Sequence, residues 1–153
     1  MKIAVLGYSG AGKSALARLL AEKHDIPAFH FDTVQFLPNW EIRGDEEKAR
    51  MTDEFMNTHD AWVMDSNYAR FSFERRMQEA DVVILLLFNH FSCLLRAYRR
   101  YRTYKNTTRP DMAAGCNEKF DAEFARWILG WRESNSLRLQ NARTVSAGER
   151  TIP

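Results

Sequence analysis

Residues 7–14 read Gly-Tyr-Ser-Gly-Ala-Gly-Lys-Ser, the G-x-x-x-x-G-K-[ST] spacing, set between an apolar run at 2–6 and a helical pattern opening at Ala15. A turn that wraps a polyphosphate needs main-chain N–H groups converging on oxygen atoms. Glycine at positions 7, 10 and 12 removes the side chains that would obstruct it. The helix that follows adds the partial positive charge of its N-terminus. Lys13 is then the cation for the β and γ phosphates, and Ser14 is a hydroxyl ligand for Mg²⁺. Gly7, Ser9, Gly10, Ala11, Gly12, Lys13, Ser14 and Ala15 form the candidate nucleotide-binding segment. At ordinary glycine frequency the four fixed positions meet by chance in fewer than about one in a hundred chains of this length.

Two aspartates follow short apolar runs, Asp32 after residues 28–31 and Asp65 after residues 61–64. In parallel α/β sheets ligands sit outside the carboxyl ends of the strands, so adjacent strands would place both carboxylates beside the phosphate loop. Phosphoryl transfer asks for a carboxylate that organises a metal and a group that aligns or deprotonates the acceptor. Asp65 suits the first role, with Ser14 as its companion ligand, and Asp32 suits the second. Each also has a plain alternative, Asp65 as a strand-end cap and Asp32 as a helix cap or turn opener. Asn67 and Arg70 join Asp32 as candidate acceptor-binding residues, Arg70 for an anionic acceptor, with Arg43, Arg75 and Arg76 weaker. His24, His30, His59 and His90 lack metal-ligand spacing, and His30 reads as a packed, hydrogen-bonded residue.

Between Val82 and Pro110 there is no acidic residue, yet Arg96, Arg99, Arg100, Arg102, Lys105 and Arg109 crowd the second half. A basic helix there can close over a triphosphate and place guanidinium groups on the charge that develops during transfer. Two other readings stay open: a patch for a nucleic-acid backbone with Tyr98, Tyr101 and Tyr104 interleaved, and a solvated basic face.

These groups must be held by alternating strands and helices, the pattern of an α/β fold with a parallel sheet. Strands are expected at 2–6, 28–31, 61–64 and 82–88, the last apolar throughout as if covered on both faces. Helices are expected at 13–24, 45–59 with Asp45 as cap, 71–80, 90–105 and 118–131. Phe120, Phe124, Trp127, Ile128 and Trp131 recur at helical spacing, a core stripe rather than a base-stacking platform. Residues 142–146 can supply a fifth strand. The chain's 153 residues suit a single domain, 1–153, with 90–116 as a lid segment. Its 45% hydrophobic and 27% charged composition is that of an ordinary globular protein, and a net charge of +2 demands neither nucleic acid nor membrane. Cys93 and Cys116 lack zinc-site pairing and read as reduced thiols. With no leader pattern and no long apolar run, the expected location is the cytoplasm.

The phosphate loop, His-Phe-Asp at 30–32, Trp-Val-Met-Asp-Ser-Asn-Tyr at 62–68 and Thr-Arg-Pro-Asp-Met-Ala-Ala-Gly-Cys at 108–116 together resemble the bacterial DNA topology modulation proteins. These look like small P-loop kinases of the adenylate kinase and shikimate kinase group. The resemblance, over roughly residues 1 to 135, implies a three-layer P-loop NTPase fold with a five-stranded parallel sheet and a helical lid. It places Lys13 and Ser14 on nucleotide and Mg²⁺, Asp65 on the metal side, Asp32 on the acceptor side, and Arg96, Arg99 and Arg100 in the lid. Two positions depart from the pattern: Ser66 stands where a glycine is usual, and His30 where shikimate-type kinases tend to place a carboxylate.

The expected activity is ATP-dependent transfer of the γ-phosphoryl group to a small acceptor, a nucleoside monophosphate or a hydroxylated metabolite. ATP is taken by default, since no guanine-reading Asn-Lys-x-Asp string occurs. The rivals are a nucleotide-gated DNA-binding regulator and an ATPase or GTPase without acceptor. Nucleic acid is the less favoured partner, and no membrane is expected.

Overall fold

A computed structural model describes residues 1–65 and 72–130. Four parallel strands, β1 (Lys2–Gly7), β2 (Ala28–His30), β3 (Trp62–Asp65) and β4 (Val82–Leu86), lie in the order β2-β3-β1-β4. The described sheet thus has four strands where five were expected. Residues 142–146, expected to supply the fifth, lie outside the described residues, as does Trp131.

The strand period of two sorts the side chains onto opposite faces. Ile3, Val5 and Val63 pack on one face against Ala17, Leu16 and Leu20 of helix α1 (Lys13–His24). Ala4, Leu6, Trp62 and Met64 pack on the other. There they meet Phe55 and Met56 of helix α3 (Asp45–Thr58), Phe73 and Met77 of helix α4 (Phe73–Glu79), and Phe31. Burial on both faces explains why β1 and β3 read as continuous apolar runs. β4 also feeds both clusters, Val83 and Leu85 one way and Ile84 and Leu86 the other. It is nevertheless only half-buried, with Val82 exposed, because it is the outer strand of the described sheet.

Helix α2 (Phe31–Gln35) follows β2 without a break, and a 3₁₀ turn at Pro38–Trp40 leads on to α3. Gly44, not Asp45, is the N-cap of α3; Asp45, Glu46 and Glu47 fill its first turn, where carboxylates favour the helix dipole. Helices α5 (His90–Tyr104) and α6 (Ala122–Gly130) pack together over the phosphate loop. Phe120, Phe124 and Ile128 of the aromatic stripe meet Ala11, Cys93 and Ala97, while Trp127 is exposed. Both cysteines are free and buried. Among the described residues no helix is long and apolar enough to cross a membrane.

Candidate active site

The parallel register sets the site. Val5 pairs with Asp65 across β1 and β3, and His30 pairs with Asp65 across β2 and β3, so three strand ends open on one side. The loop leaving β1 carries Lys13 into α1. Gly10, at φ 78°, lies so close to α5 that a Cβ there would stand 2.3 Å from the Cys93 carbonyl oxygen. Gly12, at φ 95°, is the N-cap of α1 with no side-chain cap, and nothing lies within 4 Å of where its Cβ would be. An uncapped helix start with open space in front of it is the geometry an anion needs.

Lys13 donates from Nζ to the Tyr8 carbonyl at 3.1 Å, which holds the ammonium over the loop. Burial lowers its pKa, the charges of Asp65 and Asp32 oppose that shift, and those of Arg100 and Arg109 reinforce it. One ammonium therefore feels two carboxylates and two guanidiniums, a clustering of perturbed charge of the kind that marks candidate functional sites.

Asp65 is buried, and its carboxylate is oriented on both oxygens. His30 Nδ1 donates to Oδ2 at 2.9 Å, and the Phe31 main-chain N–H donates to Oδ1 at 3.3 Å. Burial works against a charge on His30, yet the hydrogen bond and charge of Asp65 raise its pKa overall. His30 is thus packed and hydrogen-bonded, as its sequence context suggests, and its partner is the candidate metal-side carboxylate.

Asp32 stands in the first turn of α2, consistent with its alternative reading as a helix-start residue, and it also meets Arg109. Arg109 Nη2 donates to Asp32 Oδ2 at 2.6 Å, with Asp111 at 3.7 Å and Glu118 at 3.6 Å from the same guanidinium. Burial disfavours the Arg109 charge, but the carboxylates of Asp32, Asp111, Glu118 and Asp65 raise its pKa overall. Glu118 also pairs with Arg100 at 2.7 Å. Residues 105–118 are tied down beside them: Lys105 and Glu118 form a parallel bridge, the Cys116 thiol meets the Leu37 carbonyl, and Trp40 Nε1 donates to the Asn117 carbonyl.

The arginines expected to act together are separated. Arg96 lies 4.0 Å over the Phe88 ring and donates to the Ala11 carbonyl at 3.3 Å, at the back of the phosphate loop. Arg99 is exposed on α5, and Arg100 is half-buried on Glu118. Residues 90–116, read as a lid, comprise α5 packed through Cys93 and Ala97 on Ala11, and a following loop docked on residues 31–42. Arg43 bonds the Val34 carbonyl and Glu47, and Arg75 bonds Asp53 and Glu79. Arg76 is buried 4.3 Å from the Phe31 ring centroid, and burial pulls its pKa down to about 9. Asn67 and Arg70 lie outside the described residues.

Arg109, part of the basic run and of the segment 108–116, and Asp111 and Glu118 are site-lining residues to which the sequence assigns no role. The signal was present in the segment 108–116, where Arg109-Pro110-Asp111 puts opposite charges on a stiff turn.

The donor set suits Mg²⁺ with a nucleoside triphosphate. Ser14 and Asp65 offer oxygen ligands, and Mg²⁺ binds proteins through one or two carboxylates while keeping waters and substrate phosphates. No cluster of three or more His, Cys, Asp or Glu able to cage a metal occurs among the described residues, and Mg²⁺ bound in this way requires none.

No protein-family model matches the chain, and no curated protein matches its sequence, so neither comparison supports the resemblance to DNA topology modulation proteins. Solved structures do resemble it. Shikimate kinase from Acinetobacter baumannii in complex with shikimate has a TM-score of 0.60 at 18% identity, covering 99% of this chain and 84% of that one. Shikimate kinase from Bacteroides thetaiotaomicron has a TM-score of 0.58 at 18% identity, covering 98% and 90%. Deoxyadenosine kinase from M. mycoides has a TM-score of 0.50 at 14% identity, covering 92% and 85%. At these identities the likeness is one of architecture: the chain has an α/β fold resembling the P-loop kinases.

Proposed function

We propose that the protein is an ATP-dependent phosphotransferase that moves the γ-phosphoryl group to a small hydroxyl-bearing acceptor. The observation that carries this reading is the convergence of Lys13, Asp65 and Asp32 at the ends of three adjacent parallel strands, each charge felt at the Lys13 ammonium. In this reading the N–H groups of the loop and of the first turn of α1 cradle the phosphates, and Lys13 balances their charge. Ser14 and Asp65 hold Mg²⁺, which when bound neutralises charge across the phosphates. His30 and the Phe31 N–H keep the Asp65 carboxylate in one orientation. Asp32 takes the acceptor proton as the acceptor oxygen bonds to the γ-phosphorus, and the bridging oxygen leaves with ADP. Arg96, Arg99 and Arg100 supply positive charge from α5, Arg96 closest to the loop.

The test is transfer of labelled phosphate from ATP to a panel of acceptors. Shikimate, bound in one structural neighbour, and deoxyadenosine, named in another, are its first members. Acceptor-dependent transfer supports the reading. Phosphate release that no acceptor accelerates counts for an ATPase instead.

One observation favours a second reading. Arg99, Arg102 and Lys105 are all exposed on or beside α5, a surface suited to a nucleic-acid backbone. Binding of that kind must weaken steeply with ionic strength. A salt titration with duplex DNA separates it from phosphotransfer.

A further inference from the structure

Two segments distant in sequence are tied face to face: residues 36–42, which leave α2, and residues 105–118, which leave α5. Each is a closed turn in its own right. Phe36 and Ile42 form an antiparallel bridge, and the Leu37 N–H donates to the Glu41 carbonyl at 2.8 Å. The Glu118 N–H donates to the Thr107 carbonyl at 2.9 Å, beside the Lys105–Glu118 bridge. Three hydrogen bonds cross between the two: the Asn39 N–H to the Gly115 carbonyl at 3.3 Å, the Cys116 thiol to the Leu37 carbonyl at 3.1 Å, and Trp40 Nε1 to the Asn117 carbonyl at 3.2 Å. Phe36 and Trp40 supply one side of an apolar cluster, and Met112, Ala113 and Cys116 the other. Arg109 adds its contact with Asp32 in the first turn of α2.

The docked arrangement holds strain on one side. Asn39 and Trp40 are consecutive non-glycine residues at φ 63° and 66°, left-handed backbone that an L side chain adopts at a cost. Such a pair persists where its surroundings over-determine it. Residues 115–117 grip both, Asn39 through its N–H and Trp40 through its indole. Gly115, at φ 78°, comes so close that a Cβ there would stand 3.2 Å from the Pro38 Cβ. Undocking lets the turn at 38–40 relax, and a relaxed turn withdraws the atoms that hold residues 112–118. From this we propose that residues 36–42 and 105–118 form one clasp, which opens and closes as a single two-state unit rather than as two independent flaps. When closed, the clasp holds α2 against Arg109 and so fixes the setting of Asp32. That role rests on the phosphotransferase reading, whereas the coupling of the two halves does not.

The experiment is amide hydrogen exchange, read residue by residue by NMR, on the full chain and on its Asn39→Gly and Gly115→Ala variants. The N–H groups of Leu37, Asn39, Met112, Cys116 and Glu118 are expected to share one opening constant and to exchange at least about tenfold faster than those of β1 and β3. Asn39→Gly removes the side chain's penalty for left-handed backbone and is expected to slow all five by about threefold, Cys116 and Glu118 in the other half included. Gly115→Ala crowds Pro38 and strains its own backbone, so it should speed all five by about tenfold, Leu37 included, and leave β1 and β3 unchanged. Separate opening constants for the two halves, or a variant effect confined to the half that carries it, overturn the inference whether or not the protein transfers phosphate. Exchange of the five at the rate of the sheet overturns it too, since the clasp would then open only with the whole fold. Failure of acceptor-dependent transfer, by contrast, removes the role given to Asp32 and leaves the clasp standing.

Discussion

Arg109 and Asp32, 77 residues apart in sequence, meet at 2.6 Å and join the loop after α5 to the first turn of α2. The contact is unequal. Arg109 is 7% exposed and Asp32 34%, so the guanidinium depends on the pair more than the carboxylate does. Arg109→Ala leaves the buried Glu118 and the half-buried Asp111 with one cation fewer and is expected to cost about 2–4 kcal/mol, slightly below the range for fully buried pairs because Asp32 is partly open. Asp32→Asn should fold nearly as well yet lose roughly 10²–10⁴ in kcat, the usual share of a general base. Urea unfolding and steady-state kinetics on both variants check this. A stable Arg109→Ala protein means that the loop docks by its apolar contacts alone.

Two loop glycines answer to different constraints. At Gly10 a Cβ would sit 2.3 Å from the Cys93 carbonyl oxygen, and the backbone φ of 78° is left-handed, so Gly10→Ala must push α5 away from the loop. The expected loss is about 2–4 kcal/mol, from overpacking together with the backbone conformation. At Gly12 the space is open and only the φ of 95° resists, so Gly12→Ala should cost about 1–2 kcal/mol. Thermal unfolding of the two variants side by side should show Gly10→Ala as the weaker fold. Equal losses would mean that α5 yields readily.

Away from the site, Glu79 accepts from Lys2 Nζ and from Arg75 Nε, both at 2.7 Å. The Lys2 hydrogen bond leads in lowering its pKa from the ordinary 4.5, against a smaller opposing effect of burial. A carboxyl with a depressed folded-state pKa adds stability that is present above the unfolded value and lost as pH falls through the folded one. Glu79→Gln should therefore destabilise at neutral pH, by less than about 1 kcal/mol for a partly exposed pair, and the difference should vanish in acid. Urea midpoints of both proteins measured from pH 7 down to about 3 give the test. A constant gap across that range would assign the effect to packing.

The phosphate loop and the strand-end aspartates were legible because their signals are local: fixed glycine spacing, and apolar runs ending in a carboxylate. Asp65 is the clearer instance, since four apolar residues lead to it and its strand lies at the centre of the sheet. What the residue pattern could not show is pairing across long separations. The Arg109-Pro110-Asp111 turn sets Arg109 apart from Arg102 but names no distant partner; one is buried on Asp32 and the other exposed, because residues 108–118 fold back onto residues 31–42 through Phe36, Trp40, Met112 and Cys116. Likewise, the resemblance to small P-loop kinases grouped Arg96, Arg99 and Arg100 as lid arginines. Tertiary packing then sent Arg96 to the loop backbone, Arg100 to Glu118 and Arg99 to solvent. The short helix α2 was hidden because Phe31 completes an apolar run that reads equally well as strand.

Lys13 decides the phosphotransferase reading most directly. Its ammonium donates to the Tyr8 carbonyl at 3.1 Å, and burial lowers its pKa, so the folded protein gains little from the charge itself. Lys13→Ala should consequently leave the thermal midpoint unchanged or slightly raised. The same substitution removes the cation facing the phosphates, and charge-assisted contacts to phosphate are the strong class of hydrogen bond. Loss of about 3 kcal/mol of binding corresponds to a weakening on the order of a hundredfold in Kd for ATP with Mg²⁺. Calorimetry on the folded variant reads this without any assumption about the acceptor. Unchanged ATP affinity in a folded Lys13→Ala protein would remove the cation from the nucleotide site and with it the basis for phosphoryl transfer at this loop.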